Sequence, residues 1–406
     1  MDSVPVIDVH EHHMPEPVPG LGLLQVLEAS YAGWTRARPY PLPQEPPVNP
    51  GSTTDRPGTW AEIASFVVGS GTNAAVRNLV RALCQLYGVA DITEANHQKL
   101  DREIRRRNAD PSWSAEVMSR AGIHTAISDP YADPLLDVRQ ALGERYRSVL
   151  RINPLAFGWH PEARDHNGNN GRALLGRLGL APASFEEYLE ALPLVLDRLP
   201  ELNKVGLKNA LAYDRSVDFD PPDLPVARQA WDRPDPPPQA KKAFGDCVVD
   251  RLCRLAGERD LPVQMHLGSA LIRGSRPLKA AGLIERHPRT RFLLMHLAWP
   301  WSGELLGMAF VYRNIWIDLT WSWLLSPTRF RNAFREAVEV LPDESRMMLG
   351  GDSWHAEEAY GAIRGARELI AGLLDQMVRE GAFLRRDAER LAVKILHDNA
   401  RAFFKL

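Results

Sequence analysis

The chain alternates between short apolar runs and longer segments in which apolar residues recur every three or four positions. The short runs predict buried strands, and the recurring pattern predicts amphipathic helices. Strands that alternate with helices form parallel sheets. Eight units in a chain of this length favour an α/β fold with a closed (β/α)8 TIM barrel over an open sheet. The apolar runs lie at residues 4–10, 123–129, 146–157, 204–208, 261–266, 291–296, 314–319 and 345–352.

The segments between the later runs supply the outer helices of the predicted barrel. A glycine-rich phosphate loop does not follow the first run, which argues against a dinucleotide-binding fold. The barrel helices are predicted near residues 112–121, 185–199, 239–259, 277–286, 303–311, 327–340, 356–380 and 387–404.

Residues 14–110 interrupt the alternation after the first strand. Residues 14–60 are rich in proline, glycine and aromatic side chains, with one short helix predicted near residues 23–31. Helical spacing returns at 60–68, 73–87 and 92–107, where Asp91 or Thr93 is a candidate cap for the last helix. We therefore predict one domain over residues 1–406 that carries a mostly helical insertion, or lid, at 14–110.

Composition narrows the class of protein without identifying it. The chain has 406 residues, 45% of them apolar and 25% charged, with a formal net charge of −2. This balance is ordinary for a globular enzyme and gives no reason to expect a nucleic-acid or membrane partner. No apolar run is long enough to span a bilayer, and the N-terminus lacks a signal-peptide pattern. The three cysteines have no CxxC spacing, so we expect reduced thiols in a cytoplasmic protein.

Polar residues close most of the predicted strands. Strand C-termini meet on one face of a barrel, where such enzymes have their active sites. Each residue has an ordinary alternative, such as a core histidine or a turn aspartate. Four histidines and an aspartate at strand ends together favour a divalent-metal site, with zinc as the first choice. The strand-end residues are His10, His12, Asp129, Lys208, His266, His296, Asp318 and Asp352.

The first strand also predicts which side chains share a face. Alternate residues of a strand point the same way, so Asp8 is expected on the side of His10 and His12. Glu11 and His13 have the opposite parity. We therefore assign neither a primary role, and keep His13 as a candidate second-layer or substrate contact.

Four motifs together resemble the amidohydrolase superfamily. They are Asp8-Val9-His10-Glu11-His12, the runs 263–266 and 292–296 that end in histidine, and Gly350-Gly351-Asp352. The chain is most similar to the amidohydrolase-related branch, which includes aromatic-acid decarboxylases and proteins joined to a glutamine-synthetase-like domain. Residues 208–213 and 352–361 resemble the latter group. The resemblance covers the barrel but not the insertion.

Residue chemistry, sharpened by this resemblance, predicts the roles of the strand-end residues. His10, His12, His266 and Asp352 are expected to bind Zn²⁺, with Mn²⁺ as the alternative and one or two ions. The metal would lower the pKa of a bound water toward about 7, and Asp352 would pass its proton to the leaving group. The resemblance places His296 near the metal, where it polarises the substrate carbonyl or acts as a base. Lys208 is a carboxylated bridge between two metals, a substrate-binding cation or a structural lysine.

Aromatic residues and arginines after the later strands are candidate substrate contacts. Trp299, Trp321 and Trp354 follow strands six, seven and eight, and Trp34 and Trp60 lie in the insertion. Rim aromatics bind planar groups, although packing of the insertion explains them equally well. Arg273 is a candidate clamp for a substrate carboxylate, as are Arg215 and Arg276, or these arginines are merely solvated.

These observations support three functional hypotheses. The first is a metal-dependent hydrolase that cleaves a C–N or C–O bond in a small molecule such as an amide, lactam or lactone. The second is a metal-dependent decarboxylase or isomerase on the same scaffold. The third is a metal-binding protein without catalytic activity, which the complete ligand set disfavours. A dimer is common in the family that the chain resembles, so a homodimer is a candidate assembly, and the oligomeric state is left open.

Overall fold

The computed structural model describes residues 3–13, 21–36 and 56–406. Its eight strands form one sheet in the consecutive order β1 to β8, and the strand pairs with recorded register are parallel. This order, with helices between the strands, is the predicted (β/α)8 TIM barrel. The strands are β1 Val6–Glu11, β2 Ile123–Ser128, β3 Tyr146–Arg151, β4 Lys204–Asn209, β5 Val263–Met265, β6 Phe292–Leu294, β7 Ile315–Asp318 and β8 Met347–Met348.

The long helices begin and end within a few residues of the predicted bounds, except at the start of the helix that begins at His97. Four helices of four to seven residues, at 138–142, 171–177, 224–228 and 322–325, were not predicted, because such short segments show no helical periodicity. The helices are α1 Leu23–Glu28, α2 Trp60–Val67, α3 Ala74–Tyr87, α4 His97–Asn108, α5 Trp113–Arg120, α6 Val138–Leu142, α7 Gly171–Arg177, α8 Phe185–Asp197, α9 Leu224–Arg228, α10 Pro238–Glu258, α11 Ala281–Arg286, α12 Ser302–Val311, α13 Ser322–Leu325, α14 Pro327–Val340, α15 Ala356–Arg379, α16 Arg385–Val393 and α17 Asn399–Phe404.

The predicted start of α4 at residue 92 is wrong. The helix begins at His97, and Asn96 is its N-terminal cap residue. The Asn96 side chain accepts a hydrogen bond from the Thr93 N–H at 2.8 Å and donates one to the Asp91 carbonyl at 2.8 Å. These bonds close a turn over residues 91–96. Asp91 and Thr93 therefore belong to the turn and do not cap the helix.

Contacts divide the chain into two units. The first contains residues 1–128, 319–335 and 348–401. In it β1 pairs with β2 from Val6↔Ile123 to Glu11↔Ser128. The insertion helices enclose their own apolar cluster, which includes Leu24, Phe66 and Leu83. Helix α3 packs on α15, where a Cβ atom at Gly361 would lie 2.9 Å from the Cβ atom of Ala82. Glycine at 361 thus permits the close approach.

The second unit contains residues 129–318, 336–347 and 402–406. Its strands β3 to β7 pair in parallel, and one buried layer runs from Leu207 to Val263, Phe292 and Ile315. This apolar layer lies below the strand ends and fixes their positions. Across the described residues of the chain, none of the helices combines the length and apolarity needed to cross a membrane.

Candidate metal centre

Two predicted ligands of the first unit converge on a carboxylate oxygen of a third. Nε2 of His10 lies 3.5 Å from Oδ1 of Asp352, and Nε2 of His12 lies 3.2 Å from it. All three side chains are buried. A tetrahedral zinc ion with bonds of about 2.0–2.1 Å holds neighbouring ligand atoms roughly 3.3 Å apart. The spacing and the chemistry of this donor set therefore fit a shared divalent cation.

The backbone around Asp352 is shaped by two glycines and by hydrogen bonds to β1. The Asp352 N–H donates to the His10 carbonyl at 2.8 Å, and the His12 N–H donates to the Ser353 carbonyl at 2.8 Å. A Cβ atom at Gly350 would lie 2.7 Å from Oδ1 of Asp8, so this position has no room for a side chain. Asp352 itself has a left-handed φ of 59°, as do His296 (63°) and Trp321 (62°) at other strand ends. Strained residues of this kind are common at functional sites.

Asp8 and Glu11 form a buried carboxyl pair that strand alternation did not predict. The register between β1 and β2 shifts between Asp8 and Glu11, and their side chains interact with each other. The parity argument that separated them is therefore wrong here. Burial raises the pKa of Asp8 to about 6, and burial together with the Asp8 charge raises the pKa of Glu11 well above its ordinary range. Oε2 of Glu11 accepts the Ser353 N–H at 2.6 Å.

His13 is also buried and lies beside Glu11, with Nε2 3.6 Å from Oε2. Burial lowers the pKa of His13 to about 3. A neutral imidazole at this position packs against the carboxyl pair. Its role as a second-layer or substrate contact stays a prediction.

Tyr31, in the insertion, contacts the candidate centre and was missed from the sequence. Its hydroxyl donates to Oδ2 of Asp352 at 2.7 Å, and its backbone N–H donates to Glu358 at 2.8 Å. Its ring lies 4.6 Å from Trp321 and 4.7 Å from Trp354. The residue lies in a 3₁₀ turn, Tyr31–Arg36, and no periodic pattern connects that turn to the end of β8.

The predicted rim aromatics of the first unit have different environments. Trp354 stacks on His12 at 5.5 Å, Trp321 is buried, and Trp34 lies 6.2 Å from Tyr31. Trp60 instead packs on His97 within the insertion. An aromatic wall, defined as Tyr31, Trp321 and Trp354, therefore adjoins Asp352. Its contact with substrate stays a prediction.

The predicted residues of the second unit form a different arrangement. Nε2 of His296 lies 3.0 Å from Nδ1 of His266, and the second ring nitrogen of His266 lies 3.1 Å from the Ser269 carbonyl. The His296 N–H donates to Oδ2 of Asp318 at 3.2 Å, with Nδ1 3.7 Å from the same oxygen. Metal binding by His266 requires one of its contacts to be exchanged, so that role stays a prediction.

Lys208 is almost fully buried at the end of β4. Its Nζ donates to the thioether sulfur of Met295 at 2.7 Å, and its register partner on β5 is Gln264. Burial at the end of a strand is compatible with each of the roles considered for Lys208. The choice between metal bridge, substrate cation and structural lysine stays open.

The candidate substrate contacts in the loops after β4, β5 and β6 differ in whether they form ion pairs within the protein. Arg215 pairs with Asp246 and Arg276 pairs with Glu304, so neither is a spare clamp for a carboxylate. Arg273 is exposed, and Trp299 is half-buried. Their predicted contacts with substrate remain predictions.

A polar network in the second unit was also missed. The buried Arg151 guanidinium donates to Asp129, which follows β2. His166 pairs with Asp214 at 2.9 Å, and the Tyr213 ring lies 5.2 Å from His166 and 4.5 Å from His266. Asp129 was identified only as a strand-end residue. His166 and Asp214 lie in loops that show no periodic pattern.

Comparisons with known proteins give a family and a fold. The family model described as Amidohydrolase matches residues 183–406. Protein fluG of Emericella nidulans is 24% identical over 242 residues, which are 55% of this chain and 28% of that protein. The matched stretch thus covers well under half of the relative.

Two solved structures share the fold over the whole chain. Uronate isomerase from Thermotoga maritima superposes with a TM-score of 0.75 at 14% identity, covering 100% of this chain and 95% of that one. Glucuronate isomerase from Caulobacter crescentus gives a TM-score of 0.71 at 16% identity, with coverages of 100% and 92%. At such identities the likeness concerns the fold alone.

Proposed function

The chain belongs to the amidohydrolase family, and we propose that it is a metal-dependent hydrolase that cleaves a C–N or C–O bond of a small molecule. The observation that carries this proposal is the convergence of His10 and His12 on Oδ1 of Asp352, at 3.5 and 3.2 Å. Two imidazoles and one carboxylate are ligands that suit zinc. We propose Zn²⁺ first and Mn²⁺ second, with His266 as a further ligand and with the number of ions open.

The two oxygens of Asp352 have separate tasks in this proposal. A divalent cation at this position supplies Lewis acidity, which polarises a carbonyl and acidifies water. Oδ1 faces the histidines, while Oδ2 accepts the Tyr31 hydroxyl, which orients the carboxylate. Asp352 accepts a proton from the attacking water and returns it to the leaving nitrogen or oxygen. A positioned acid–base group of this kind contributes about 10²–10⁴-fold to a rate.

His296 is proposed to polarise the substrate carbonyl. Asp318 lies close to its Nδ1 and orients the ring. Lys208 remains a candidate substrate cation or metal bridge. The aromatic wall supports substrates with a planar or apolar substituent, such as an amide, lactam or lactone.

Isomerisation is the second candidate, and the Tyr31–Asp352 contact favours it specifically. A carboxylate paired with a hydroxyl can remove a proton from one carbon and protonate a neighbouring position, as sugar isomerisation requires. The two solved structures named above are a uronate and a glucuronate isomerase, which makes uronates natural test substrates. The decarboxylase alternative stays a prediction.

The cellular setting is also proposed. The three cysteines are free thiols, as expected in a reducing compartment, so we propose the cytoplasm. A small-molecule substrate and a homodimer complete the proposal.

The test begins with metal content and turnover of the purified protein. We expect bound zinc or manganese, loss of activity on chelation, and recovery when the metal is restored. Amides, lactams, lactones and uronates are then screened in H₂¹⁸O. A hydrolase incorporates ¹⁸O into a cleaved product, whereas an isomerase yields a product with the composition of its substrate. Absence of bound metal, together with no stabilisation by added zinc or manganese, would refute the proposal.

A further inference from the structure

The first unit contains a cavity whose lining includes no residue of the candidate metal centre. It has a volume of about 600 Å³ and is bounded by α3, α13, α14 and α15. Its apolar lining includes Trp323, Pro327 and Leu373. Small-molecule sites commonly have volumes of about 300–1,000 Å³ and mix apolar walls with a few polar groups.

The charged lining of this cavity is predominantly positive. Arg77 and Arg81 on α3 and Arg331 on α14 line it, against a single acidic residue, Glu368. Arg81 and Glu368 form a two-point ion pair at 2.7 and 3.0 Å. Within the described residues, the guanidinium groups of Arg77 and Arg331 have neither an ion pair nor a hydrogen bond, and both residues are exposed. Two guanidinium groups therefore remain available to an incoming anion.

The cavity lining also contains a buried tryptophan and an asparagine. Trp323 is 6% exposed, and its indole N–H has no hydrogen-bond acceptor in the described part of the chain. Asn78 lines the same cavity and is half-buried. Gly365 lies against the Trp323 ring, where a Cβ atom would collide with it. The cavity therefore joins an aromatic surface to polar side chains.

We propose that this cavity binds a small organic anion that joins a phosphate or carboxylate to a planar or apolar body. The Arg77 and Arg331 guanidinium groups bind the acid group through charge-assisted hydrogen bonds. Trp323, Pro327 and Leu373 contact the body. The site goes beyond the proposed hydrolase activity, because it shares no residue with the candidate metal centre.

A small molecule fits these features better than a macromolecule does. The volume of about 600 Å³ and the few apolar residues in the lining favour a compact ligand. An acidic peptide would require an extended row of cations, whereas the unpaired arginines of this site lie on two helices around one cavity. A second copy of the chain is an outcome of the test described below.

The experiment measures binding of defined probes by calorimetry to the metal-loaded protein. Phenyl phosphate and benzoate carry both required parts, inorganic phosphate carries only the acid group, and phenol carries only the body. We expect saturable binding of phenyl phosphate or benzoate, with phenol at least about tenfold weaker, since hydrogen bonds to charged groups dominate. Comparison of the two anions identifies the acid group.

The double variant Arg77→Gln/Arg331→Gln should weaken this binding by about tenfold or more. The matched control is Arg102→Gln, which removes an exposed arginine that does not line the cavity. Trp323→Phe, which keeps the aromatic packing, should weaken the same probe less. Circular dichroism and catalytic turnover serve as checks that the variants fold.

Three results would overturn the inference. The first is absence of saturable binding of any probe. The second is equal binding to the double variant and Arg102→Gln, which would place the probe elsewhere, such as at the metal. The third is a dimer in sedimentation that the double variant dissociates, which would assign the arginines to an interface.

Discussion

The two histidine pairs of this protein differ in what surrounds their ring nitrogens. In the first unit, His10 and His12 direct Nε2 at one carboxylate oxygen of Asp352. In the second, His266 and His296 contact each other at 3.0 Å, and His296 has Asp318 behind it. A set of donors aimed at one point is suited to holding a cation. A chain of imidazole and carboxylate is suited to holding and moving a proton. The same residue types thus stand in two arrangements that suit different tasks, and His266 could bind metal only by exchanging one of its present contacts.

Removal of the Asp352 charge is expected to have the largest effect. In the proposed mechanism this carboxylate both binds the metal and transfers a proton. Asp352→Asn should lower kcat by about 10⁴-fold, because metal affinity and proton transfer are both impaired. Turnover and metal stoichiometry measure this, with Asp375→Asn on the outer helix α15 as the control. Near-normal kcat in Asp352→Asn would remove its proton-transfer role.

A substitution of His296, in the second unit, should lower the catalytic rate but leave the bound metal in place. His296→Asn is expected to lower kcat by about 10²–10³-fold, since general acid–base help is lost. Metal content, measured by atomic emission, should stay at the unmodified value. If the metal is lost as well, the distinction between the two histidine pairs fails, and His296 is a ligand.

Loss of the Tyr31 hydroxyl should have a smaller effect, which is confined to the catalytic rate. Tyr31→Phe removes the hydroxyl on Asp352 but keeps the ring against Trp321 and Trp354. We expect kcat to fall by about tenfold with little change in KM, because one hydrogen bond to a charged group is lost. The control, Tyr360→Phe, deletes a hydroxyl 3.4 Å from Gln85. Equal rates in both variants would contradict an orienting role for Tyr31.

The smallest effect is expected for a residue that holds helices of the first unit together, and it should appear in stability alone. Glu357, in the first turn of α15, accepts hydrogen bonds from Tyr87, Asn108 and Trp113, which lie on α3, α4 and α5. Glu357→Gln is expected to lower the free energy of unfolding by about 1–3 kcal/mol at pH 7, because hydrogen bonds to a charged group are weakened. Urea unfolding measures it, with the exposed Glu389→Gln as control.

This effect should depend on pH in a defined direction. Burial alone would raise the pKa of Glu357, but the hydrogen bond and the charge interaction with His355, together with hydrogen bonds from Asn108 and Trp113, outweigh it and hold the pKa at about 2. A depressed pKa stabilises the fold above the ordinary value of 4.5, and the gain is lost as pH falls toward 2. The difference between the unmodified protein and Glu357→Gln should therefore narrow from pH 5 to pH 3. A constant difference would show that the charge is immaterial.

Much of the barrel was predictable, because strand and helix periods are set by residues close in sequence. The strand-end positions of His10, His12 and Asp352 followed from that pattern. The Asp8–Glu11 pair did not, because a register shift depends on the neighbouring strand. Tyr31 was also hidden, since it reaches Asp352 across 321 residues of sequence. The first turn of α4 was misplaced because side chains of a local turn competed with the helix.

The left-handed backbone at Asp352, His296 and Trp321 has a consequence for protein engineering. Glycine adopts that conformation without a steric penalty, so a change to glycine relieves backbone strain at each of the three positions. His296 and Trp321 are buried, and removal of the Trp321 ring would leave a cavity that costs about 3–5 kcal/mol, which outweighs the relief. Asp352 has only a small side chain to lose, so selection for thermal stability alone would tolerate glycine there and remove the carboxylate. A library for this protein should therefore hold Asp352 fixed.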